Sequence, residues 1–237
     1  DCHEHDSVDK IRDLAAQYGI KIVCVCPEQN NPKPWNVAVR GEAGKKRILS
    51  YFKNVIDVAV ELGAPQILVT SGWAYLDEPA EDAWARSVAM LRSVCDYADT
   101  RGIRVALEAL QPSESVLVNT ARDVARILEA VDRPNCKACI DFGAMEVAGD
   151  TIDGYFEVLG DKIVHTHFVD VGGGTTHLAW GDGERDMRAD LEALMRHGYT
   201  GYASAETCDG RYYQDPSKAT TQVIEMYRHV TAEMEAE

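Results

Sequence analysis

Basic residues are scarce in this sequence. Its 237 residues contain 24 lysines and arginines against 39 aspartates and glutamates, which gives a net charge of -15 at pH 7. Because binding to a phosphate backbone needs a concentrated basic face, this deficit argues against a nucleic-acid partner. No apolar run approaches the roughly 20 residues that cross a bilayer, so we expect no membrane partner either.

Cysteines and nucleotide-binding motifs are also scarce. Seven cysteines are an odd number for a disulfide framework, and a chain of this length buries a core without covalent links. We therefore expect a reduced, cytoplasmic protein. Nothing resembling GxGxxG follows a predicted strand, and no phosphate-binding loop of the GKS type occurs, which disfavours a dinucleotide or nucleoside triphosphate cofactor.

Short apolar segments alternate with longer amphipathic segments along the whole chain. The apolar segments predict six strands, at 21–27, 66–72, 104–110, 136–143, 162–170 and 201–207. The amphipathic segments predict helices at 7–19, 44–62, 80–101, 119–131, 151–159, 186–197 and 216–235. Such alternation with nearly all-apolar strands is typical of a parallel sheet covered by helices. With no linker or low-complexity tract, we predict one α/β domain over residues 1–237.

Six strands are compatible with two architectures. One is a doubly wound sheet, and the other is a (β/α)8 TIM barrel without its first two strand–helix units. In both, functional residues gather at the carboxyl ends of parallel strands. The polar residues at those ends therefore indicate where a functional site would lie.

Ionisable side chains end four consecutive predicted strands. They are Glu108, Asp141, His167 and Glu206. Three carboxylates and one imidazole are an oxygen-rich ligand set that suits one divalent metal ion, namely Mn²⁺, Mg²⁺ or Co²⁺. Without a cation, four such groups aimed at one point would repel each other and resist burial. The alternative is that each is a solvated strand end or a helix cap, and four in succession make that alternative less attractive.

Four other residues are candidates for contacts with a substrate: His165, His177, Trp35 and Asp170. Each also has a structural explanation. His165 could support a neighbouring metal ligand from within the core, and Asp170 could orient an imidazole or hold the following loop. His177 follows a flexible glycine run and could lie on the plain surface, whereas Trp35 could pack against loops.

The chain resembles the xylose-isomerase-like TIM-barrel superfamily of sugar isomerases and epimerases in the segments ALEALQPSES, IDFGAM, HTHFVD, HLAWGDG and GYASAE. The resemblance extends along nearly all of the chain. It is greatest to the fructoselysine 3-epimerases, in the segments PEQNNPKPWN, YFEVLGDKIVHTHFVD and GYTGY. The ketohexose (tagatose and psicose) 3-epimerases are similar at a greater distance. The resemblance implies a TIM barrel, and one divalent metal held by Glu108, Asp141, His167 and Glu206.

The resemblance also implies a reaction. Glu108 and Glu206 would be the acid–base pair, one removing a proton next to a ketose carbonyl and the other returning it on the opposite face. A chelated metal would stabilise the enediolate between the two steps. The chain departs from the ketohexose epimerases at Ala144, where they carry a histidine, and in the glycine run before His177, where they carry an arginine. Because both positions handle substrate, we hypothesise a larger, fructosamine-type sugar.

Other functions remain open at this stage. One is a lyase on the same scaffold, such as the catalytic subunit of a C-glycoside deglycosidase, which would associate with a small partner subunit. A metal-dependent abasic-site nuclease is disfavoured by the negative charge, and a non-catalytic sugar-binding protein is a further alternative. For an epimerase, the resemblance implies a homo-oligomer.

The resemblance finally bears on the strand count. Members of the superfamily begin with two further strand–helix units, so the six predicted strands would be strands three to eight of the barrel. On that expectation the sequence enters the barrel at the second helix, and the four proposed ligands end strands five to eight.

Overall fold

The computed structural model of the chain describes residues 5–29 and 33–236. Residues 30–32, within the PEQNNPKPWN segment, lie outside the described residues. Contacts divide the chain into two units, Asp1–Ala138 and Cys139–Glu237, with the boundary inside a strand. The prediction of one domain over residues 1–237 stays a prediction.

The first unit alternates helices and parallel strands. Its elements are α1 (His5–Tyr18), α2 (Glu42–Glu61), β1 (Gln66–Thr70), α3 (Ala80–Thr100), β2 (Arg104–Glu108), α4 (Ala121–Val131) and the first half of β3 (Cys136–Asp141). Strand β1 is buried along its whole length and pairs in parallel with β2, from Gln66 opposite Arg104 to Thr70 opposite Glu108. Burial on both faces explains why β1 is read from sequence as a continuous apolar run.

The predicted strand at 21–27 is wrong as an extended element. Only Val25 pairs there, in an isolated parallel bridge with Ile67. The Val25 amide donates to the Gln66 carbonyl, and the Leu68 amide donates to the Val25 carbonyl. The β-branched composition predicted a strand, but a strand needs a row of ladder partners, and the described residues supply them at one position.

The second unit begins with the second half of β3. Its other elements are α5 (Phe142–Ala148), α6 (Ile152–Leu159), β4 (Ile163–His167), β5 (Asp170–Gly172), β6 (Thr175–Leu178), α7 (Met187–Arg196), β7 (Ala203–Ser204) and α8 (Pro216–Ala236). Strand β4 pairs in parallel with β7, which places His167 opposite Ser204. Strand β7 has two residues, against the seven predicted at 201–207.

In the described part of the chain, every helix is too short or too polar to cross a membrane.

A helix and a two-stranded hairpin of the second unit are absent from the sequence prediction. Helix α5 follows β3 directly: Asp141 caps its first turn, and Gly149, at φ 70°, ends it. Strands β5 and β6 form an antiparallel hairpin whose turn residues, Gly173 and Gly174, have φ of 59° and 78°. Positive φ at two successive turn residues is typical of the tight hairpin turns that favour glycine. The glycine run is therefore a specific turn, not the flexible loop expected from the sequence.

Candidate metal centre

Three of the predicted ligands come together in the second unit. Asp141 ends β3, His167 ends β4, and Glu206 lies two residues beyond β7. One ligand atom from each lies within 4.8 Å of the others. Asp141 and His167 are buried, whereas the Glu206 side chain is 35% exposed. The cluster is thus enclosed on the side of the strands and open to solvent at Glu206.

Hydrogen bonding orients the cluster. The Asp141 Oδ1 atom accepts from the backbone amide of Ala144, so the carboxylate is fixed by the first turn of α5. Its Oδ2 atom faces His167 Nδ1 at 3.8 Å, and the same nitrogen lies 2.8 Å from Glu206 Oε2. A helix cap thus holds one carboxylate oxygen and leaves the other directed at the imidazole.

The donor chemistry of this cluster fits a divalent cation. Two carboxylates face one imidazole in a largely buried setting, and two anions so close together resist burial unless a positive charge offsets them. The set of two oxygen ligands and one nitrogen ligand, without a thiolate, suits Mn²⁺, Mg²⁺ or Co²⁺ more than structural zinc. Asp141, His167 and Glu206 are the residues that would hold it.

His177 joins the same cluster. From β6 its Nε2 atom lies 3.4 Å from Asp141 Oδ2 and 3.5 Å from Glu206 Oε2. Of the two possibilities left open by the sequence, the structure places His177 at the centre rather than on the plain surface. Its side chain is 19% exposed, so one part of the ring remains accessible from outside.

His165 lies two residues before His167 on the same face of β4. Their rings meet edge to face, with centroids 5.5 Å apart. His165 is 1% exposed. Such burial favours support of the His167 ring, and contact of His165 with a substrate stays a prediction.

Asp170 is used by the loop that follows the hairpin. Its Oδ1 atom accepts from the amides of Val171 and Arg185, and its Oδ2 atom accepts from those of Gly181 and Gly183. The residue is 1% exposed. Four backbone donors occupy both carboxylate oxygens, so Asp170 holds the loop, and its contact with a substrate stays a prediction.

Side chains also brace this loop. Arg185 forms ion pairs with Asp190 and Glu146, and burial raises the pKa of Asp190 even though Arg185 opposes the shift. The Tyr212 hydroxyl donates to Asp182 at 2.6 Å and holds the pKa of that carboxyl below its usual range. The loop is thus anchored at several points, which limits the freedom of the hairpin before it.

Two predicted site residues lie in the first unit. Glu108 ends β2 and is 6% exposed. A carboxylate buried to this extent at a strand end is consistent with a functional role, since an isolated buried charge is costly. Trp35 stacks on Tyr51, with ring centroids 4.1 Å apart and planes 5° from parallel. The stack accounts for Trp35 as a packing residue, and its contact with a substrate stays a prediction.

Sequence reasoning missed two residues beside the cluster. Thr176 contacts the His177 ring, with Oγ1 2.9 Å from Nδ1. Gly143, in the first turn of α5, lies against the hairpin, where an added Cβ would come within 3.0 Å of Thr176 Cβ. The successive glycines between two alternating segments could have predicted the hairpin. Nothing in the sequence singles out Thr176.

Comparisons with known proteins agree on one family. A family model described as "Xylose isomerase-like TIM barrel" matches residues 3–230. The fructoselysine 3-epimerase of Shigella flexneri is 31% identical over 229 residues, which cover 96% of this chain and 82% of that protein.

Solved structures give the same fold. A D-tagatose 3-epimerase-like protein superposes with a TM-score of 0.81 at 23% identity, covering 98% of this chain and 86% of the other. The 3-keto-D-glucoside 4-epimerase of E. coli superposes with a TM-score of 0.79 at 18% identity, covering 94% and 85%. At these identities the two structures are evidence for the fold alone.

Proposed function

The chain belongs to the xylose isomerase-like TIM-barrel family, and on that premise we propose that it is a divalent-metal-dependent sugar epimerase. The observation that carries the proposal is the cluster of Asp141, His167 and Glu206 at the ends of parallel strands. A relative over nearly the whole chain is a fructoselysine 3-epimerase, which supports epimerisation as the reaction class. The lyase alternative receives no support from the relatives reported above.

We propose Glu108 as the fourth ligand. It is a buried carboxylate at the carboxyl end of a parallel strand, the position at which barrel enzymes place functional residues. A third carboxylate would keep the ligand set oxygen-rich and favour Mn²⁺, with Mg²⁺ or Co²⁺ as alternatives. Variants of Glu108 test this assignment independently of the three-residue cluster.

The acid–base roles fall to Glu206 and Glu108. A bound divalent cation would polarise the substrate carbonyl and stabilise the negative charge that develops when the neighbouring proton is removed. Glu206, which is 35% exposed, is accessible to a substrate and would exchange a proton with the carbon. Glu108 would serve the opposite face, because inversion requires removal on one side and return on the other.

The proposed substrate is a ketose or a fructosamine-type sugar, with inversion at carbon 3. Similarity to a fructoselysine 3-epimerase supports the fructosamine class. Ala144, a small buried residue at the start of α5, supports it further, since it leaves room where ketohexose epimerases carry a histidine. Free ketohexoses are the comparison substrates in the experiment below.

Exchange of the substrate proton with solvent deuterium tests the mechanism. We expect wild-type protein with Mn²⁺ to exchange the proton next to the carbonyl, with fructosamines ahead of ketohexoses and 3-keto glycosides. Glu108→Gln and Glu206→Gln should each slow exchange by at least about 100-fold, the scale of a lost general acid or base. The measurement is proton NMR in D₂O, after metal analysis of each protein.

The control is Glu157→Gln, an exposed glutamate on α6 outside the cluster, which should exchange at the wild-type rate. Normal exchange by either site variant, or by metal-stripped protein, would contradict the mechanism. Faster exchange with free ketohexoses than with fructosamines would contradict the substrate class alone.

A further inference from the structure

His177 has an unusual backbone conformation. Among the described non-glycine residues, only His177 and Asp132 have positive φ, at 58° and 51°. Asp132 ends α4 in the left-handed conformation common at helix C-termini. His177 lies within a strand, where that explanation does not apply. Strained backbone of this kind concentrates at functional sites because surrounding contacts must maintain it.

Close packing against α5 is one such contact. A Cβ added at Gly143 would lie 3.0 Å from Thr176 Cβ and 3.3 Å from His177 Cε1. It would also lie 3.0 Å from Asp141 Oδ1. A glycine at this position therefore lets the hairpin approach the metal cluster closely enough for the His177 ring to reach it.

The two ring nitrogens of His177 face different partners. Nδ1 lies 2.9 Å from the Thr176 hydroxyl, and Nε2 lies within 3.5 Å of one oxygen from each of Asp141 and Glu206. Ionised carboxylates can only accept hydrogen bonds, whereas a hydroxyl can donate. In a neutral imidazole, this arrangement favours a proton on Nε2, with Nδ1 accepting from Thr176.

We propose that Thr176 fixes His177 as an Nε2–H donor to a sugar oxygen, so that His177 binds substrate and does not ligate the metal. A ring nitrogen that carries a proton has no lone pair for a metal ion. Thr176 acts through His177 and is a positioning residue. The proposal deepens the proposed function and rests on it, because the proposed function identifies the substrate as a sugar.

The proton position is tested by ¹⁵N NMR of the imidazoles in Mg²⁺-loaded protein at a pH where they are neutral. The His177 signals are assigned by their loss in His177→Gln. Wild-type protein should show a protonated Nε2, and Thr176→Ser, which keeps the hydroxyl, should show the same. Thr176→Val should move the two ¹⁵N shifts toward a mixture of tautomers. A protonated Nδ1 in wild-type protein would overturn the proposal.

The ligand assignment is tested by metal content and kinetics. His177→Leu and His177→Gln should both bind Mn²⁺ as wild type does, whereas His167→Leu should lose at least tenfold in affinity. His177→Leu should raise KM at least tenfold, and His177→Gln, which retains a donor near Nε2, should recover much of that loss. Reduced Mn²⁺ affinity in His177→Leu to the level of His167→Leu would instead make His177 a ligand and overturn the proposal.

These measurements separate the two proposals. If wild-type protein exchanges no substrate proton, the proposed function fails, while the tautomer and the metal content of the variants still report on His177. If exchange is normal but Thr176→Val leaves both the ¹⁵N shifts and KM unchanged, the role of Thr176 fails and the proposed function stands.

Discussion

At the scale of single residues, some side chains near the strand ends face the metal cluster, whereas others hold the neighbouring loop in place. Asp141 and His167 face the cluster, while Asp170, three residues beyond His167, binds backbone amides. The difference arises from the hairpin, which turns the chain away from the strand end immediately after β4. Two acids at similar positions in sequence therefore have different functions.

Asp170 supplies a prediction at this scale. Asp170→Asn replaces one acceptor oxygen by an NH₂ group, which faces amides that also donate. Because each buried donor without an acceptor costs about 1–3 kcal/mol, we expect the free energy of unfolding to fall by about 3 kcal/mol. Urea denaturation followed by circular dichroism measures the change.

Asp186→Asn is the matched control. Asp186 caps α7 by accepting from the Ala189 amide, and asparagine caps helices equally well. We expect a change below about 0.5 kcal/mol for this control. Equal effects of the two variants would show that Asp170 does not hold the loop in the manner described.

At the scale of elements, the β5–β6 hairpin decides whether His177 reaches the cluster. Its turn depends on positive φ at Gly173 and Gly174, and a Cβ at either position would meet no other atom within 4 Å. Side chains there are restricted by backbone conformation and not by space. Substitutions in this turn can therefore separate the effect of backbone conformation from the effect of side-chain size.

Gly173→Val and Gly173→Asn form the matched pair. Valine resists left-handed backbone by about 1–2 kcal/mol, whereas asparagine adopts it readily. We expect Gly173→Val to lower the free energy of unfolding by that amount and to raise KM, as is expected of His177→Leu. Gly173→Asn should resemble wild type in urea denaturation and in steady-state kinetics. If the two variants could not be distinguished, the tight turn at Gly173 would be ruled out as the feature that brings His177 to the cluster.

At the scale of the whole molecule, family membership and metal binding make a joint prediction. A cation that binds the native chain but not the unfolded one stabilises it by about 2.7 kcal/mol at 100 times its dissociation constant. Mn²⁺ should therefore raise the Tm of wild-type protein. It should leave Asp141→Asn and His167→Leu nearly unshifted.

Differential scanning calorimetry with and without Mn²⁺ measures these shifts, and Glu157→Gln serves as the control that should respond as wild type does. A Tm independent of Mn²⁺, or an equal rise in the ligand variants, would contradict the site. The expected homo-oligomer is a separate prediction that sedimentation of the same samples would test.

The sequence predicted structure well where the pattern is local, as in the helices, and where ionisable residues recur at the ends of successive strands. Predicted helices at 80–101 and 186–197 match α3 and α7 to within a residue at each end. The strand-end rule predicted that Asp141, His167 and Glu206 lie close together, and one ligand atom of each lies within 4.8 Å of the others. It succeeded because the carboxyl ends of parallel strands lie at the same edge of a sheet.

The same reasoning failed where short elements depend on their neighbours. The run at 21–27 has strand composition but only one bridge, and β7 retains two residues of a predicted seven. Helix α5 is bracketed by Asp141 and Gly149, and the strand predicted at 136–143 runs into its first two residues. Ladder pairing and cap geometry depend on three-dimensional partners, which composition does not specify.

By itself, the sequence determined the α/β alternation and the oxygen-rich set of side chains at the strand ends, because both follow from residue type and spacing along the chain. Only the tertiary structure decided that His177 faces the cluster, that Thr176 contacts its ring and that Asp170 serves the loop. The position of His177 depends on a hairpin packed so closely that a Cβ at Gly143 would lie 3.0 Å from Thr176 Cβ. Distances across a fold are set by packing, and packing joins residues that the linear sequence keeps apart.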